Sequence, residues 1–551
     1  MSSTILARHL REAIHINRHG PILWPALRAF LSVLTPLLVL LGLDRLDLVA
    51  GAVFGALTSV YCRSEPYRNQ TRSLAAVAAG MVIAVGLGDA IALADVAPWQ
   101  HRLLVVTGTA VVGAVATAAT TAVKLGAPGG LIFSFATGAC ANLAITPADV
   151  APQLAVCAVS GAFAWLICTV GAAFAGLRPQ RRAVASALEA TAAYLSNRSD
   201  VLARHRSAVA VEAAWTRLAL VGGRQRDTAE HQRLIQTTEI CEVLGGSGRA
   251  ASETIRSLRE TAAGIRRGDS PAAPGYAREE SAVVPALPPS RWCTIRGVLL
   301  AAVRPGKGSG SWLVPFALRV GVAALLAGVL ADLLDTGHIY WAGVSAVSVL
   351  QATSTSRSVP RMLQRVAGTV GGVLLGLVLL SLHPAVWVII LLLAALQWAV
   401  EATMPVNYAF GLLFATPVAL LVSGMMTQAS PAQLVSSRLW ATLLGAAVAV
   451  LVAWLAPHGA WLARLRDSLA RVRELTEPQR TDPERLRKAL IELHDAYETA
   501  AGEVPESQLP TEELLAVSRD AYKLLDRGEL SPPARRGLLR RNPLQGGPVR
   551  G

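Results

Sequence analysis

The sequence predicts an all-α integral membrane protein, with about 12 transmembrane helices in two parallel six-helix repeats and helical cytoplasmic domains. Three observations predict this. Of 551 residues, 53% are hydrophobic and only 16% are charged, whereas a soluble chain carries nearer a quarter charged residues. The apolar residues gather in two blocks, roughly 22–177 and 312–456, in runs mostly of about 18–22 residues. Such runs are long enough to cross ~30 Å of hydrocarbon. Short motifs recur in the same order in both blocks.

The first block reads as helices near 23–43, 46–61, 73–94, 102–123, 128–146 and 152–177. The second reads as 312–334, 339–353, 363–382, 384–402, 405–424 and 434–456. Their Ala, Gly, Val and Leu content suits close helix packing in lipid, and they lack the alternation of barrel strands. The run 46–61 is short and Gly-rich, so a tilted, broken or partly spanning helix is expected there. Ala50-Gly51-Ala52 has the look of a signal cleavage site. The first run is mirrored later in the chain, however, and reads as a retained helix.

Polar segments frame the blocks. Residues 1–21 form a basic N-terminal segment with Arg8, Arg11, Arg18, His15 and His19. Residues 178–311 carry amphipathic periodicity at Ala183–Leu195, Val209–Leu220 and Ile235–Leu244. A Pro-rich stretch from Pro271 to Pro289 and a Gly306–Gly310 linker follow. Residues 457–551 read as helices near 460–475, 483–502 and 511–526, ending in a basic tail with Arg535, Arg536, Arg540 and Arg541. That tail has the composition of a disordered segment.

The repeat is carried by five correspondences. Ala26-Leu27-Arg28 matches Ala317-Leu318-Arg319, and Asp44-x-x-Asp47 matches Asp332-x-x-Asp335. Arg68-x-x-x-Arg72 matches Arg361-x-x-x-Arg365, Phe135-Ala136-Thr137 matches Phe414-Ala415-Thr416, and Gly161 matches Gly445. Six helices per block is an even number, so both halves enter the membrane the same way round. Arginines set the orientation. With the N-terminus inside, the inner segments hold Arg63, Arg68, Arg72, Lys124, Arg178, Arg181, Arg182, Arg357, Arg361, Arg365, Arg464 and Arg466. The outer loops hold little beyond Arg45, Arg102 and Arg438. A bacterial plasma membrane with both termini cytoplasmic is therefore expected.

Composition and motifs narrow the function. The net charge of +14 fits arginines facing anionic lipid; no recognition motif accompanies it, so nucleic acid is not an expected partner. Cys62, Cys140, Cys157, Cys168, Cys241 and Cys293 include no C-x-x-C pair and read as buried small hydrophobes. His15 and His19 read as solvated. No metal site and no cofactor is expected. Gly306-Lys307-Gly308-Ser309-Gly310 lacks the spacing of a nucleotide-binding loop. No hydrolase motif is present, so the chain is not expected to be an enzyme, and active transport would use an ion gradient.

The order Arg365-Val-Ala-Gly368-Thr369-Val-Gly371-Gly372, Asn407-Tyr408, Phe414-Ala415-Thr416-Pro417, Arg438-x-x-x-Thr442-x-x-Gly445 resembles the fusaric acid resistance (FUSC) family, related to the aromatic acid exporters. The resemblance is strongest over 312–456. It is weaker over 22–177, where Ala75-Ala76 stand in place of Gly368-Thr369. The resemblance implies export of aromatic or other organic carboxylates driven by the proton gradient; some relatives are anion channels. A passive anion channel and a membrane scaffold with a partner-binding cytoplasmic domain are the alternatives. Membrane lipids and a small organic anion are the expected partners, with homo-oligomerisation left open.

Ionisable residues in bilayer segments are costly and are read first as functional. Arg28 and Arg319 lie early in the first helix of each half. They offer either guanidinium forks to a carboxylate or snorkelling contacts to inner-leaflet phosphates. Arg72, Arg365 and Arg438 lie at helix ends and read as lipid anchors or pathway residues. Gly368, Thr369, Gly371, Gly372 and Gly445 read as packing residues. Asp44 with Asp47, and Asp332 with Asp335, fall on one helical face by their spacing; they suit proton pickup from outside or simple interfacial solvation. Glu401, beside Trp398, Ala402 and Met404, is the leading proton-coupling residue, with a snorkelled structural carboxylate as the alternative. Asp89, beside Gly88, is a second coupling candidate. Pro417 lies inside its run and predicts a kinked or broken helix. The pathway would then include Tyr408, Phe414 and Thr416.

Overall fold

A computed structural model of the chain describes residues 23–61, 67–123, 125–174, 176–219, 221, 228–247, 252–269, 313–351, 355–427, 429–455, 459–477, 482–503 and 508–526. The N-terminal segment 1–21, Cys62, Arg63, Lys124, the stretch 270–312 with its Pro-rich segment and Gly-rich linker, and the basic tail lie outside the described residues.

Twelve apolar segments answer the twelve predicted runs. In the first half they are α1 (Leu23–Gly42), α2 (Val49–Ala56), α3 (Tyr67–Ala92), α4 (Pro98–Ala122), α5 (Leu131–Cys140) and α6 (Pro147–Phe174). Residues 175–312 contribute α7 (Arg178–Ser196), α8 (Val201–Ala219), α9 (Ala229–Ser247) and α10 (Ser252–Arg267). The second half holds α11 (Leu313–Leu333), α12 (Tyr340–Leu350), α13 (Thr355–Ser381), α14 (Val386–Thr403), α15 (Tyr408–Met426) and α16 (Pro431–Leu455). The remaining helices are α17 (Gly459–Thr476), α18 (Pro483–Glu503) and α19 (Thr511–Asp526).

Local chemistry sets the starts of these helices. Thr146 and Asp149 close a capping interaction before α6, with the Asp149 carboxylate accepting from the Thr146 backbone N–H at 2.8 Å. Asn407 accepts from the Ala409 N–H at 2.8 Å and starts α15. Ser430 and Gln433 exchange bonds at the head of α16. Each satisfies backbone donors that a helix leaves orphaned at its first turn.

Among the described residues, nine helices are long and apolar enough to cross a bilayer. Their outward faces carry Ile83, Val111, Val115, Val159, Leu374, Val378 and Trp454, all more than half exposed. That much apolar surface is unstable in water and suits lipid. The chain is thus a multi-pass membrane protein. Two predicted spans are corrected: the segments expected at 128–146 and 339–353 form short helices, Leu131–Cys140 and Tyr340–Leu350. The segment at 46–61, expected to be tilted, broken or partly spanning, is a short helix, Leu46–Val60, with a 3-10 turn at each end. At 1.5 Å per residue, an eleven-residue helix covers only about 16 Å. All eleven residues of α12 and all eight of α2 are buried. Their apolar character comes from protein neighbours on every side, not from lipid.

The contacts between elements repeat across the halves. Helix α1 packs on α14 as α11 packs on α4, and α2 meets α15 as α12 meets α5. Within each half α3 packs on α5 and α13 on α15. The first helix of each half therefore lies against the fourth of the other, and the short second helices sit where the halves meet.

The repeat runs in a different register at the aspartates. Helices α1 and α11 both end in a left-handed residue, Asp44 at φ 54° and Asp335 at φ 48°. The next N–H bonds back five residues in each case, Arg45 to Leu40 and Thr336 to Ala331. This is one helix-ending motif used twice, at a position where aspartate tolerates the left-handed region. Asp44 therefore corresponds to Asp335, not to Asp332, at the same 291-residue separation as Arg28 and Arg319.

Of the kink or break expected at Pro417, the break does not occur, since α15 runs unbroken from Tyr408 to Met426. A proline leaves the carbonyl four residues earlier without its usual donor, here Leu413. A Cβ on Gly372 would sit 2.8 Å from that carbonyl oxygen. The freed carbonyl is thus covered by close approach of α13 rather than left facing a cavity.

The chain divides into two compact units, one holding both apolar blocks and the other the segments 174–289, 462–498 and 505–551. The second unit is a helical bundle around Val184, Leu188, Trp215, Leu218, Leu234 and Leu258. Its amphipathic segments predicted near 183–195, 209–220 and 235–244 are α7, α8 and α9. Helix α10, not anticipated, adds Leu258, Ala262 and Ile265 to that core.

Candidate functional site

Helix α12 is the axis of the site. Its residues Ala342, Gly343, Ser345, Ala346 and Ser348 are small, which lets α4, α5, α11, α13 and α16 approach from both halves. Gly445 on α16 shows how close this is. A Cβ there would fall onto the Ala342 carbonyl and within 2.7 Å of the Ser345 Cβ.

Three arginines reach this helix from two neighbours. Arg438 on α16 lies over the Trp341 ring, 5.0 Å from its centroid. Arg365 on α13 donates from Nη2 to the Ser345 hydroxyl at 3.1 Å and from Nη1 to the Tyr408 hydroxyl at 3.1 Å. Arg361, one turn earlier on α13, donates from Nε to the Ser348 carbonyl at 3.1 Å and lies 4.3 Å from the Tyr408 ring centroid. Trp341, Ser345 and Ser348 are spaced four and three residues apart, so they share one face of α12. Seven residues of helix rise make this a ladder of guanidinium groups about 10 Å long.

The charges are buried and incompletely satisfied. Arg365 is 2% exposed and Arg438 6%. Nε and Nη1 of Arg438 and Nε of Arg365 have no hydrogen-bond partner among the described residues. Arg365 is close enough to Arg438 for the two like charges to act on each other. Buried cations so arranged are costly unless an anion shares the space. Their planar N–H edges match a carboxylate.

Aromatic rings lead to the same place. Phe54 meets Phe135 edge-on at 5.4 Å, Phe135 stacks on Tyr340 at 6.3 Å, and Tyr340 meets Trp341 at 5.7 Å. His338 stacks on Trp341 at 4.8 Å. The chain of rings crosses from α2 and α5 of the first half to α12 of the second.

The first half does not repeat the ladder. Gly80 lies against Phe133 as Gly368 lies against Leu412, and Phe133 and Leu412 are 279 residues apart, like Phe135 and Phe414. Gly80 therefore corresponds to Gly368, which places Val77 where Arg365 stands. Arg72, paired with Arg365 by sequence alone, is exposed on α3. The Gly161–Gly445 correspondence likewise places Leu154 opposite Arg438. The cationic site belongs to one half only.

The other predicted residues fall elsewhere. Arg28 is buried on α1 and donates to the Cys168 carbonyl at 3.2 Å. Arg319 lies over the Phe316 and Trp461 rings, at 5.5 and 5.8 Å. Glu401 is buried on α14, and its charge and that of Arg28 both act on the Cys168 thiol. Thr369 and Thr416 are buried, and the Thr416 Cβ faces Gly372; Phe414 is half-buried. One aspartate of each pair bonds an arginine. Asp47 is bonded to Arg45, at 2.9 Å for the closest contact, and Asp332 pairs with Arg102 at 2.7 Å. Asp89 is fully buried and accepts from Gln153 at 2.7 Å.

Sequence reasoning missed Arg361, Trp341, Ser345 and Ser348 as site residues. The signal for the last three was present, since two hydroxyls and an indole at helical spacing interrupt an otherwise aliphatic run.

A multi-pass helical bundle of two related halves meeting at a buried polar helix is consistent with a transporter in general. Residues 326–452, spanning α12 to most of α16, match the family model described as fusaric acid resistance protein-like, so the resemblance read over the second half holds there. The chain is also similar to the uncharacterized membrane protein YvaC of Bacillus subtilis (strain 168), at 30% identity over 198 residues. That alignment covers 34% of this chain and 31% of the relative; the chain thus matches about a third of the length of that protein. No solved structure matches the chain.

Proposed function

We propose that the protein exports aromatic or other organic carboxylates across a bacterial plasma membrane, coupled to proton entry, with both termini cytoplasmic. The observation that carries this reading is the buried guanidinium ladder on α12, with unpartnered N–H groups beside a chain of aromatic rings. A carboxylate would bridge Arg365 and Arg438 while its ring lies against Trp341 and Tyr340. Arg361 would pass the anion along the same helix face. Small-residue contacts at Gly445 and Gly368 would let α16 rock against α12, and α13 against α15, without opening gaps, as alternating access requires.

The test is reconstitution of the purified chain in proteoliposomes with labelled benzoate and related acids, with and without a pH gradient. Gradient-driven accumulation that Arg438→Gln abolishes supports the reading. Downhill flux unaffected by the gradient would assign a passive anion channel instead. Absence of flux for every acid would remove the transporter reading.

A further inference from the structure

The first half holds a buried polar pair that the second half lacks. Asp89 is 0% exposed, on α3 three residues before its end. Gln153 on α6 donates Nε2–H to its Oδ1 at 2.7 Å and also lies 3.9 Å from the Cys140 sulfur. Oδ2 has no hydrogen-bond partner among the described residues. The wall is tight there, because a Cβ on neighbouring Gly88 would meet the Cys140 Cβ at 2.6 Å and the Thr137 carbonyl at 2.7 Å. The titratable groups facing Asp89 are the Cys140 thiol from α5 and the Cys157 thiol from α6. Among the described residues, α2 and α4 bring no charged group to it, and no cation offsets a carboxylate. The 288-residue separation that relates Gly80 to Gly368 places Leu377 opposite Asp89, and the 284-residue separation of Gly161 and Gly445 places Ser437 opposite Gln153. At these matched positions the halves have diverged in opposite senses: α13 and α16 carry Arg365 and Arg438 opposite Val77 and Leu154, and α3 carries Asp89 opposite Leu377.

We infer that Asp89 is a proton-binding site of the first half, and that this carboxyl, rather than Glu401, couples anion export to the proton gradient. The coupling clause rests on the transporter reading above; the proton-site clause does not. The proton adds to the unpartnered Oδ2, giving a neutral acid that keeps the Gln153 bond. Losing that proton leaves a carboxylate with one N–H donor and no cation in a closed wall, which is costly. Release therefore requires a state in which the pocket opens to water or to a counter-charge, and this ties the proton to a conformational change. Asp89 sits roughly 5 Å from the end of α3, a short path for a proton entering at that end. Glu401 differs in that a guanidinium, Arg28, acts on the same Cys168 thiol as it does, whereas no cation acts on Asp89.

Two readouts on the full-length protein in lipid test this. Infrared difference spectra across pH should show a protonated-carboxyl band that is lost in Asp89→Asn and kept in Glu401→Gln. In proteoliposomes held at zero potential, one pH unit should drive roughly tenfold accumulation of benzoate in the wild type for one proton per anion. Asp89→Asn should bring this to unity while keeping downhill flux, and Glu401→Gln should keep the accumulation. A band untouched by Asp89→Asn, or full accumulation by that variant, overturns the inference. If the wild type moves no anion, the transporter reading and the coupling clause fail, and the infrared band still decides the proton site. If Asp89→Asn does not fold, Asp89→Glu serves. It should shift the band and retain coupling, and an unshifted band would count against the site.

Discussion

Replacing Arg438 by methionine should make the protein more stable and less able to bind its anion, two effects of opposite sign from one side chain. Arg438 is buried on α16, stacked on Trp341, with Nε and Nη1 unpartnered. Exchanging buried charges for apolar residues of similar volume often stabilises by about 1–4 kcal/mol, and methionine fills the space with a flexible apolar chain. The binding effect runs the other way. Hydrogen bonds to charged groups contribute about 1.5–3 kcal/mol each. Losing two of them weakens carboxylate binding roughly 10²- to 10⁴-fold. The assay is thermal unfolding in nanodiscs with and without benzoate. At a hundredfold excess over Kd, a ligand adds about 2.7 kcal/mol to the wild type. The variant should start higher and show no benzoate-dependent rise. A variant that starts lower and still responds to benzoate would refute the idea that Arg438 is held at a cost for an anion.

Further outcomes follow from the same structure. Tyr408→Phe removes the hydroxyl that accepts from Arg365 and should raise the KM for the anion several-fold at unchanged expression, as transport kinetics would show. Gly445→Ala places a Cβ against the Ala342 carbonyl; overpacking of this kind costs about 1–3 kcal/mol. Gly42→Ala, which meets nothing within 4 Å, should leave the unfolding temperature unchanged. Asp332→Asn breaks a half-exposed pair with Arg102 and should change stability by less than about 1 kcal/mol and leave the pH response of transport intact. In the second unit, His205 and His494 stack at 3.7 Å. Burial pushes His205 down to about 3, helped by the neighbouring His494, and pushes His494 down to about 4. An unfolded histidine takes up its proton near pH 6.5. The stabilising difference is therefore fully present above that value and is lost as pH falls from about 6.5 toward 4 and then 3. The fall approaches about 1.4 kcal/mol per pH unit for each histidine. Acid unfolding followed by circular dichroism should show that slope, and His494→Phe should flatten it.

The apolar blocks were legible because length and composition bear directly on the cost of burying a helix in lipid, and all twelve runs recur as helical segments. What failed was the inference from apolar to spanning. Tyr340–Leu350 is as apolar as its neighbours, yet protein surrounds it on every side. The register of the repeat was misread at Asp44 because a shared spacing of three outweighed the helix-ending geometry, which only φ reveals. Arg365 and Arg438 were noticed but read first as lipid anchors. Their site character comes from Trp341, Ser345 and Tyr408, which lie 97, 20 and 43 residues away from the arginines they meet, and no local pattern encodes such meetings. Asp89 was visible as a charge in a span, whereas its isolation from any cation was not.

The most direct measurement is equilibrium binding of labelled benzoate to the purified protein in lipid, comparing the wild type with Arg438→Gln and with Arg72→Gln. The buried ladder predicts that Arg438→Gln loses binding by a hundredfold or more and that Arg72→Gln, altered on the exposed face of α3, binds as the wild type does. Equal binding by the wild type and Arg438→Gln would contradict the assignment of the anion site to α12.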